Sequence, residues 1–268
     1  MKMRIANYLE EDVGSGDITT RLTVPNIDGR AVIVVEEDAV IAGLDEAEAI
    51  FNTAGCDAEG MVKDGDSVKA GTRVMSVSGP MRGIITAERT ALNFLMQMSG
   101  IATATAAAVD ACDGQIIIAA TRKTTPGFST YEKKAVAIGG GDPHRACLDS
   151  MIMIKDNHIK ACGSVRNAME KVSKAPFSYK VEVEVENVED AVTAAEMGAD
   201  IIMADNTSPE LTKEIADAVK SVNDRILVEA SGNMNLERLK EYVGIADIVS
   251  MGCLTHSARS VQFSMDIL

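Results

Sequence analysis

KVEVEVEN, residues 180–187, sets Val181, Val183 and Val185 in alternation with Glu182, Glu184 and Glu186. Side chains alternate between the two faces of an extended strand, so the valines share one face and the glutamates the other. Two readings stay open on this stretch alone. The glutamates look into water from a half-exposed antiparallel sheet, or they look into a polar cavity that holds cations or hydroxyls.

The surrounding sequence chooses between them. After residue 115 the chain runs as short apolar stretches, each ending in polar residues: IIIAATRK, MIMIKDN, KVEVEVEN, DIIMADN, ILVEASGN and DIVSMGC. Their polar ends, Lys123, Lys155, Glu184, Asp205, Glu229 and Gly252, are 32, 29, 21, 24 and 23 residues apart. Such intervals fit strand, loop and helix repeated, the pattern of a parallel β/α arrangement. Six or seven units in a row favour a closed or nearly closed barrel over a doubly wound sheet, and no G-x-G-x-x-G follows the first strand. The valines of 180–187 then pack on outer helices and the glutamates face the lumen. Glu182 is expected to balance a lysine or arginine deeper in the barrel, with Glu186 at the rim.

Barrel active sites form at the carboxyl ends of the strands. Those ends supply Arg122 and Lys123, then Lys155, Glu184 and Asp205, and finally two glycine-bearing loops. The late loops, EASGNM (229–234) and SMGCLTHS (250–257), suit a phosphate, because glycines let backbone N–H groups approach its oxygens. Ser231, Gly232, Asn233, Gly252 and His256 are the candidates. Residues 120–160 carry seven Lys and Arg against four Asp and Glu, a local excess of +3 on a chain of net charge −14. Arg122, Lys123, His144, Arg145 and Lys155 could clamp a small polyanion there, with arginine offering bidentate forks. Gly139, Gly140 and Gly141 would let the backbone fold over such a ligand. Lys133 and Lys134 read as a solvated helix face, and His158 as a structural hydrogen-bonding histidine. Glu184 and Asp205, on consecutive strand ends, could hold Mg²⁺ or ribose hydroxyls, or could be neutralised by Lys155 or Lys123.

The first hundred residues have another texture. AVIVV (31–35) reads as a strand, and GMVKDGDSVKAGTRVMSVSG (60–79) as a small sheet of tight hairpins. That stretch faintly resembles a lipoyl-type sandwich but has no lysine at a suitable hairpin tip, so it reads as scaffold. Residues 86–110 read as a helix, with Leu92, Leu95 and Met96 at helical spacing and Arg89 near its start.

Bulk properties exclude several function classes. With 26 Lys and Arg against 40 Asp and Glu, a general nucleic-acid or anionic-membrane binder is not expected. The five cysteines, Cys56, Cys112, Cys147, Cys162 and Cys253, form no C-x-x-C pair and point to a reducing compartment. Neither a leader nor a membrane span is expected.

Several motifs together resemble one family. LEEDVGSGDITT (9–20), ERTALNFLMQMSGIAT (88–103), TRKTTPG (121–127), GGGDPHR (139–145), IKDNH (154–158), EVEVEN (182–187), IIMADN (201–206), SGN (231–233) and GCLTHS (252–257) are similar, in register, to the quinolinate phosphoribosyltransferases. The resemblance implies an α/β fold of two parts: an N-terminal α/β sandwich, residues 1–100 completed by 258–268, and an open α/β barrel, residues 101–257. It implies phosphoribosyl transfer from 5-phosphoribosyl 1-pyrophosphate to quinolinate with decarboxylation, giving nicotinate mononucleotide, with Mg²⁺ as cofactor, in the cytoplasm. Arg122, Lys123, His144, Arg145 and Lys155 would grip quinolinate, and Lys123, Glu184 and Asp205 would act in catalysis. Glu184 and Asp205 would face ribose and Mg²⁺. Ser231, Gly232, Asn233, Gly252 and His256 would bind the donor's phosphates, and Arg89 would reach the partner's site in a homodimer. The chain departs from the family pattern at 128–130 (FST), at Cys147 and at Ala204. Three readings stand beside this one: the molybdenum-transport-associated branch of the family, a Schiff-base barrel lyase using Lys155, and a non-catalytic ligand-binding paralogue.

Overall fold

The computed structural model describes residues 2 to 268, which divide into two compact units. The first comprises residues 2–106, 137–139 and 258–268; the second comprises Ala107–Val136 and Gly140–Ser257.

In the first unit, helix α1 (Lys2–Val13) is followed by the short α2 (Ile18–Thr23), whose N-cap Asp17 accepts a hydrogen bond from Thr20 N at 2.9 Å. Strand β1 (Asp28–Val35) is the spine of an antiparallel sheet. It buries Ala31, Val32, Ile33 and Val35 and pairs on one side with the C-terminal strand Phe263–Ile267. The stretch 60–79 divides. After the two-residue β2 (Ala39–Val40) and helix α3 (Leu44–Thr53), β3 (Asp57–Gly60) pairs with β5 (Arg73–Pro80), and β5 pairs with β1. Between them β4 (Ser67–Val68) leaves that sheet to pair with β2. The single hairpin sheet expected here is thus two sheets, with Gly65 (φ +93°) and Gly71 (φ +83°) turning the chain on either side of β4.

Helix α4 runs from Met81 to Ala111 and is longer than the 86–110 read from the sequence. It is long and apolar enough to cross a membrane, but 56% of its apolar window is buried inside the protein, as in a core helix. Gly139, expected to close over a ligand, instead belongs to this packing. A Cβ there would lie 2.4 Å from Ala102 O, so the glycine serves close approach to α4.

The second unit is built on six parallel strands: β6 (Ile117–Ala119), β7 (Ile152–Ile154), β8 (Val181–Val185), β9 (Ile201–Asp205), β10 (Leu227–Ser231) and β11 (Ile248–Ser250). Their order is β6-β11-β10-β9-β8-β7, so each strand from β7 onward lies beside its successor and the last lies beside the first. β6 and β7 end this order without pairing to each other, which leaves the barrel open, and the outer side of β6 carries only an isolated bridge from Ala119 to Asp142. Helices return the chain between strands: α5 (Ser129–Ile138), α6 (Asp156–Cys162) with α7 (Val165–Val172), α8 (Val188–Glu196), α9 (Pro209–Val222), and the short α10 (Leu236–Leu239), with α11 (Cys253–His256) after β11. Polar caps set where several of them begin. Asn187 accepts from Asp190 N at 2.8 Å, and Ser208, followed by Pro209, accepts from Leu211 N at 3.3 Å.

KVEVEVEN is β8 and its exit. Val183 and Val185 join Ala191, Ala194, Ile202, Ile215 and Val228 in the core between strands and helices. Glu182 and Glu184 take the opposite face, Glu182 fully buried and Glu184 half-buried, while Glu186 is exposed. The cavity reading of the alternation holds.

Candidate active site

At the carboxyl ends of the strands lies a cavity of about 580 Å³. Ten of the residues singled out in the sequence line it: Arg122, Lys123, His144, Arg145, Lys155, Glu184, Asp205, Ser231, Gly232 and Asn233. Gly252 and His256 are not among the lining residues. They sit just behind, where a Cβ on Gly252 would lie 3.1 Å from His256 Nε2 and 3.3 Å from Lys123 Cδ. Thr255 Oγ1 donates to Lys123 O at 2.7 Å and so ties this last loop to the first. Arg89 is exposed on α4 in the first unit.

Strand register sorts the carboxylates into levels. Glu184 lies opposite Met203, and Met203 lies opposite Glu229; one step outward, Asp205 lies opposite Ser231. Lys155 Nζ forms an ion pair with Glu184 Oε2, and Asp205 Oδ2 accepts from Asn206 Nδ2 at 2.6 Å. Neutralisation by Lys155, open on the sequence, therefore applies to Glu184.

Two buried glutamates meet on His144 at the wall of this cavity, and to one of them, Glu229, the sequence reading gave no role. Glu182 and Glu229, both fully buried, face His144 Nε2 at 3.4 and 3.1 Å. Glu229 is well partnered: His144 Nε2 bonds its Oε2 and Ser250 Oγ donates to its Oε1. Among the described residues Glu182 has no hydrogen-bond partner, and where a lysine or arginine counter-ion was expected the facing group is His144. Burial, followed by the Glu229 charge, pushes the Glu182 carboxyl up to about 8. Burial pulls the His144 pKa down, but the Glu229 hydrogen bond and the two carboxylate charges more than offset it, so the net direction is upward. The other ring nitrogen, Nδ1, accepts from Arg145 N at 2.8 Å, which fixes the ring plane.

Lys133 is a second correction. It is 5% exposed rather than solvated, and its ammonium donates to Pro143 O and to Arg145 O, the latter at 2.9 Å. The helical period read there did not register that its solvent-facing side lies under the loop at 142–145. Desolvation brings its pKa down to about 8. His158 does act structurally, its Nδ1 accepting from Lys155 N at 2.9 Å at the start of α6.

Backbone conformation also concentrates here. Four non-glycine residues among those described have positive φ, and three of them, His144 (+52°), Asn206 (+52°) and Asn233 (+49°), line the cavity. Asn206 explains Gly232 (φ +107°), where a Cβ would lie 2.3 Å from Asn206 Oδ1.

Comparison with known proteins matches this chain to both halves of one family. Residues 17–99 match the quinolinate phosphoribosyl transferase N-terminal domain, and residues 101–266 match the C-terminal domain. The chain belongs to the quinolinate phosphoribosyltransferase family. Among its relatives, a probable nicotinate-nucleotide pyrophosphorylase (carboxylating) of Archaeoglobus fulgidus is 43% identical over 94% of this chain and 98% of the relative. The human nicotinate-nucleotide pyrophosphorylase (carboxylating) is 39% identical over 89% of this chain and 82% of its own length. The crystal structure of NadC from Streptococcus pyogenes superposes with a TM-score of 0.92 at 40% identity, covering 98% of this chain and 95% of that one.

Within this quinolinate phosphoribosyltransferase chain, one signal could have found the buried pair. Glu182 shares its strand face with Glu184, and Glu229 shares its face with Ser231, so strand alternation alone aims both into the lumen. That they meet on His144 depends on the curl of the sheet, which brings β8 and β10 to a residue of the loop before β7.

Proposed function

We propose that the protein transfers the phosphoribosyl group of 5-phosphoribosyl 1-pyrophosphate to the ring nitrogen of quinolinate and that CO₂ is then lost, giving nicotinate mononucleotide and pyrophosphate. One observation carries the reading. In a chain of this family, Arg122, Lys123, Arg145 and Lys155 converge with His144 on a single cavity, where they meet the carboxylates Glu184 and Asp205 of two neighbouring strand ends as well as Glu229 and Asp156.

Quinolinate is a dianion and the donor a polyanion, so bringing them together needs excess positive charge. Arg122, Lys123, His144, Arg145 and Lys155 would hold the two acceptor carboxylates, with the arginine forks supplying orientation as well as charge. The nitrogen lone pair forms the new bond to ribose C1 as the C1–O bond breaks and its electrons leave with pyrophosphate. Glu184 and Asp205 would face the ribose and favour positive charge developing at C1, and Lys123 would stabilise the reacting anions. The ring nitrogen is then cationic. It accepts the electron pair freed when the bond to the 2-carboxylate breaks, and a proton restores the ring C–H.

Mg²⁺ is the cofactor we infer. The donor set fits it: two carboxylates and the Ser231 hydroxyl at a solvent-open cavity offer hard oxygens, with room for waters and phosphate oxygens. When bound, it would neutralise charge on the pyrophosphate leaving group. Ser231, Gly232 and Asn233 would meet the donor phosphates, with Gly252 and His256 bracing that wall. We further infer a cytoplasmic homodimer in which Arg89 serves the partner's site.

A Schiff-base lyase is the less supported reading, because Lys155 Nζ is engaged by Glu184 and stands among the other cations of the cavity. The deciding assay follows pyrophosphate and CO₂ release with Mg²⁺, donor, and either quinolinate or nicotinate. Stoichiometric release of both products with quinolinate alone is expected; release of neither sinks the proposal, and a borohydride-trapped lysine adduct would favour the lyase.

A further inference from the structure

Two adjacent residues of α5 carry opposite charges and are almost wholly inaccessible: Glu132 is 0% exposed and Lys133 5%. Burying such groups is costly unless each is fully engaged. Consecutive helix positions point about 100° apart, so the two side chains serve different neighbours. Glu132 turns to the loop before the helix, where both its oxygens accept from Thr125 N, at 3.3 and 3.1 Å. Lys133 turns to the loop after it, donating to the carbonyls of Pro143 and Arg145. The Pro143 and Arg145 carbonyls flank His144, the residue held at φ +52°. Thr125 lies two residues beyond Lys123, whose own carbonyl is bound by Thr255. The two loops held in this way are those that carry Arg122 and Lys123, and His144 and Arg145.

We propose that Glu132 and Lys133 are positioning residues: they fix the backbone of the two cationic loops and thereby set affinity for the dicarboxylate acceptor while leaving the pyrophosphate donor's site untouched. Neither touches the cavity, so their effect passes through loop geometry. The inference rests on the assignment of Arg122, Lys123, His144 and Arg145 to the acceptor.

Lys133→Met and Glu132→Gln are compared with the unaltered enzyme in kcat and in KM for each substrate, with Arg122→Ala as control and folding checked by thermal melting. Lys133→Met is expected to raise the quinolinate KM about tenfold or more, since displacing binding groups by an ångström can cost up to about a hundredfold. Glu132→Gln keeps one acceptor oxygen and is expected to raise it about threefold. The donor KM should stay within about twofold in both. Wild-type quinolinate KM in folded variants, or an equal rise in both KM values, overturns the proposal. If Lys133→Met does not fold, the same split in Glu132→Gln decides. An unchanged quinolinate KM in Arg122→Ala would instead remove the acceptor assignment itself, and the proposal with it.

Discussion

Glu182, Glu184 and Glu186 are chemically identical and two residues apart, yet their surroundings assign them different work. Glu184 shares the cavity with Asp205 and is paired with Lys155, whereas Glu186 is exposed beyond the strand end. Glu184→Gln should lower kcat by at least about a hundredfold and Glu186→Gln by less than about twofold, as loss of charge near a developing cation predicts. Equal, small effects in steady-state assays would return the strand to scaffold. Glu182 should report on stability. Folding raises its carboxyl from 4.5 to about 8, so the folded state holds that proton more tightly than the unfolded chain. Its contribution is fully present below 4.5 and is lost as pH rises through about 8. Glu182→Gln mimics the neutral acid. Denaturant unfolding should find the wild type losing stability against that variant between pH 5 and 8, and a constant difference would refute the raised value.

At the scale of elements, each β/α unit divides labour between its strand and the loop that follows. The strand's outward valines, isoleucines and alanines pack on helices and hold the frame, while its last inward residue and the next loop carry charge. The β10 loop shows how little freedom this leaves. Gly232 has φ +107° and no room for a Cβ beside Asn206, and Asn206 N bonds Ser231 O at 2.9 Å across to β10. Gly232→Ala should therefore cost on the order of 1–3 kcal/mol in folding free energy. The donor KM should rise in the same variant while the quinolinate KM changes little, which progress curves at varied donor concentration would check. The motifs made these loops legible as anion sites. The reason for Gly232 was not, because it lies in Asn206, a residue of another loop that only the fold brings alongside.

At the scale of the molecule, the inferred homodimer makes a prediction that neither unit makes alone. If Arg89 serves the partner's site, Arg89→Ala and Glu184→Gln disable the same site from opposite subunits. Each variant alone should be nearly inactive. Mixed, unfolded and refolded together in equal amounts, half of the dimers pair one variant with the other and carry one intact site, so about a quarter of wild-type activity should return. No recovery, with mixed dimers shown by mass, would place Arg89 in its own subunit's chemistry or outside it.

What the sequence by itself determined was everything periodic. The strand spacing after residue 115 predicted six or seven β/α units, of which the structure has six parallel strands, the alternation of 180–187 set the glutamates on one face, and the polar strand ends and the loops around them named ten residues of one cavity. These follow because side-chain direction in a strand is a local property. Only the tertiary structure decided what those residues meet. It made the partner of Glu182 a histidine, buried Lys133 under a loop, and split the 60–79 hairpins between two sheets. Each of these depends on chain segments distant in sequence, and on which polar group is left to satisfy a buried one.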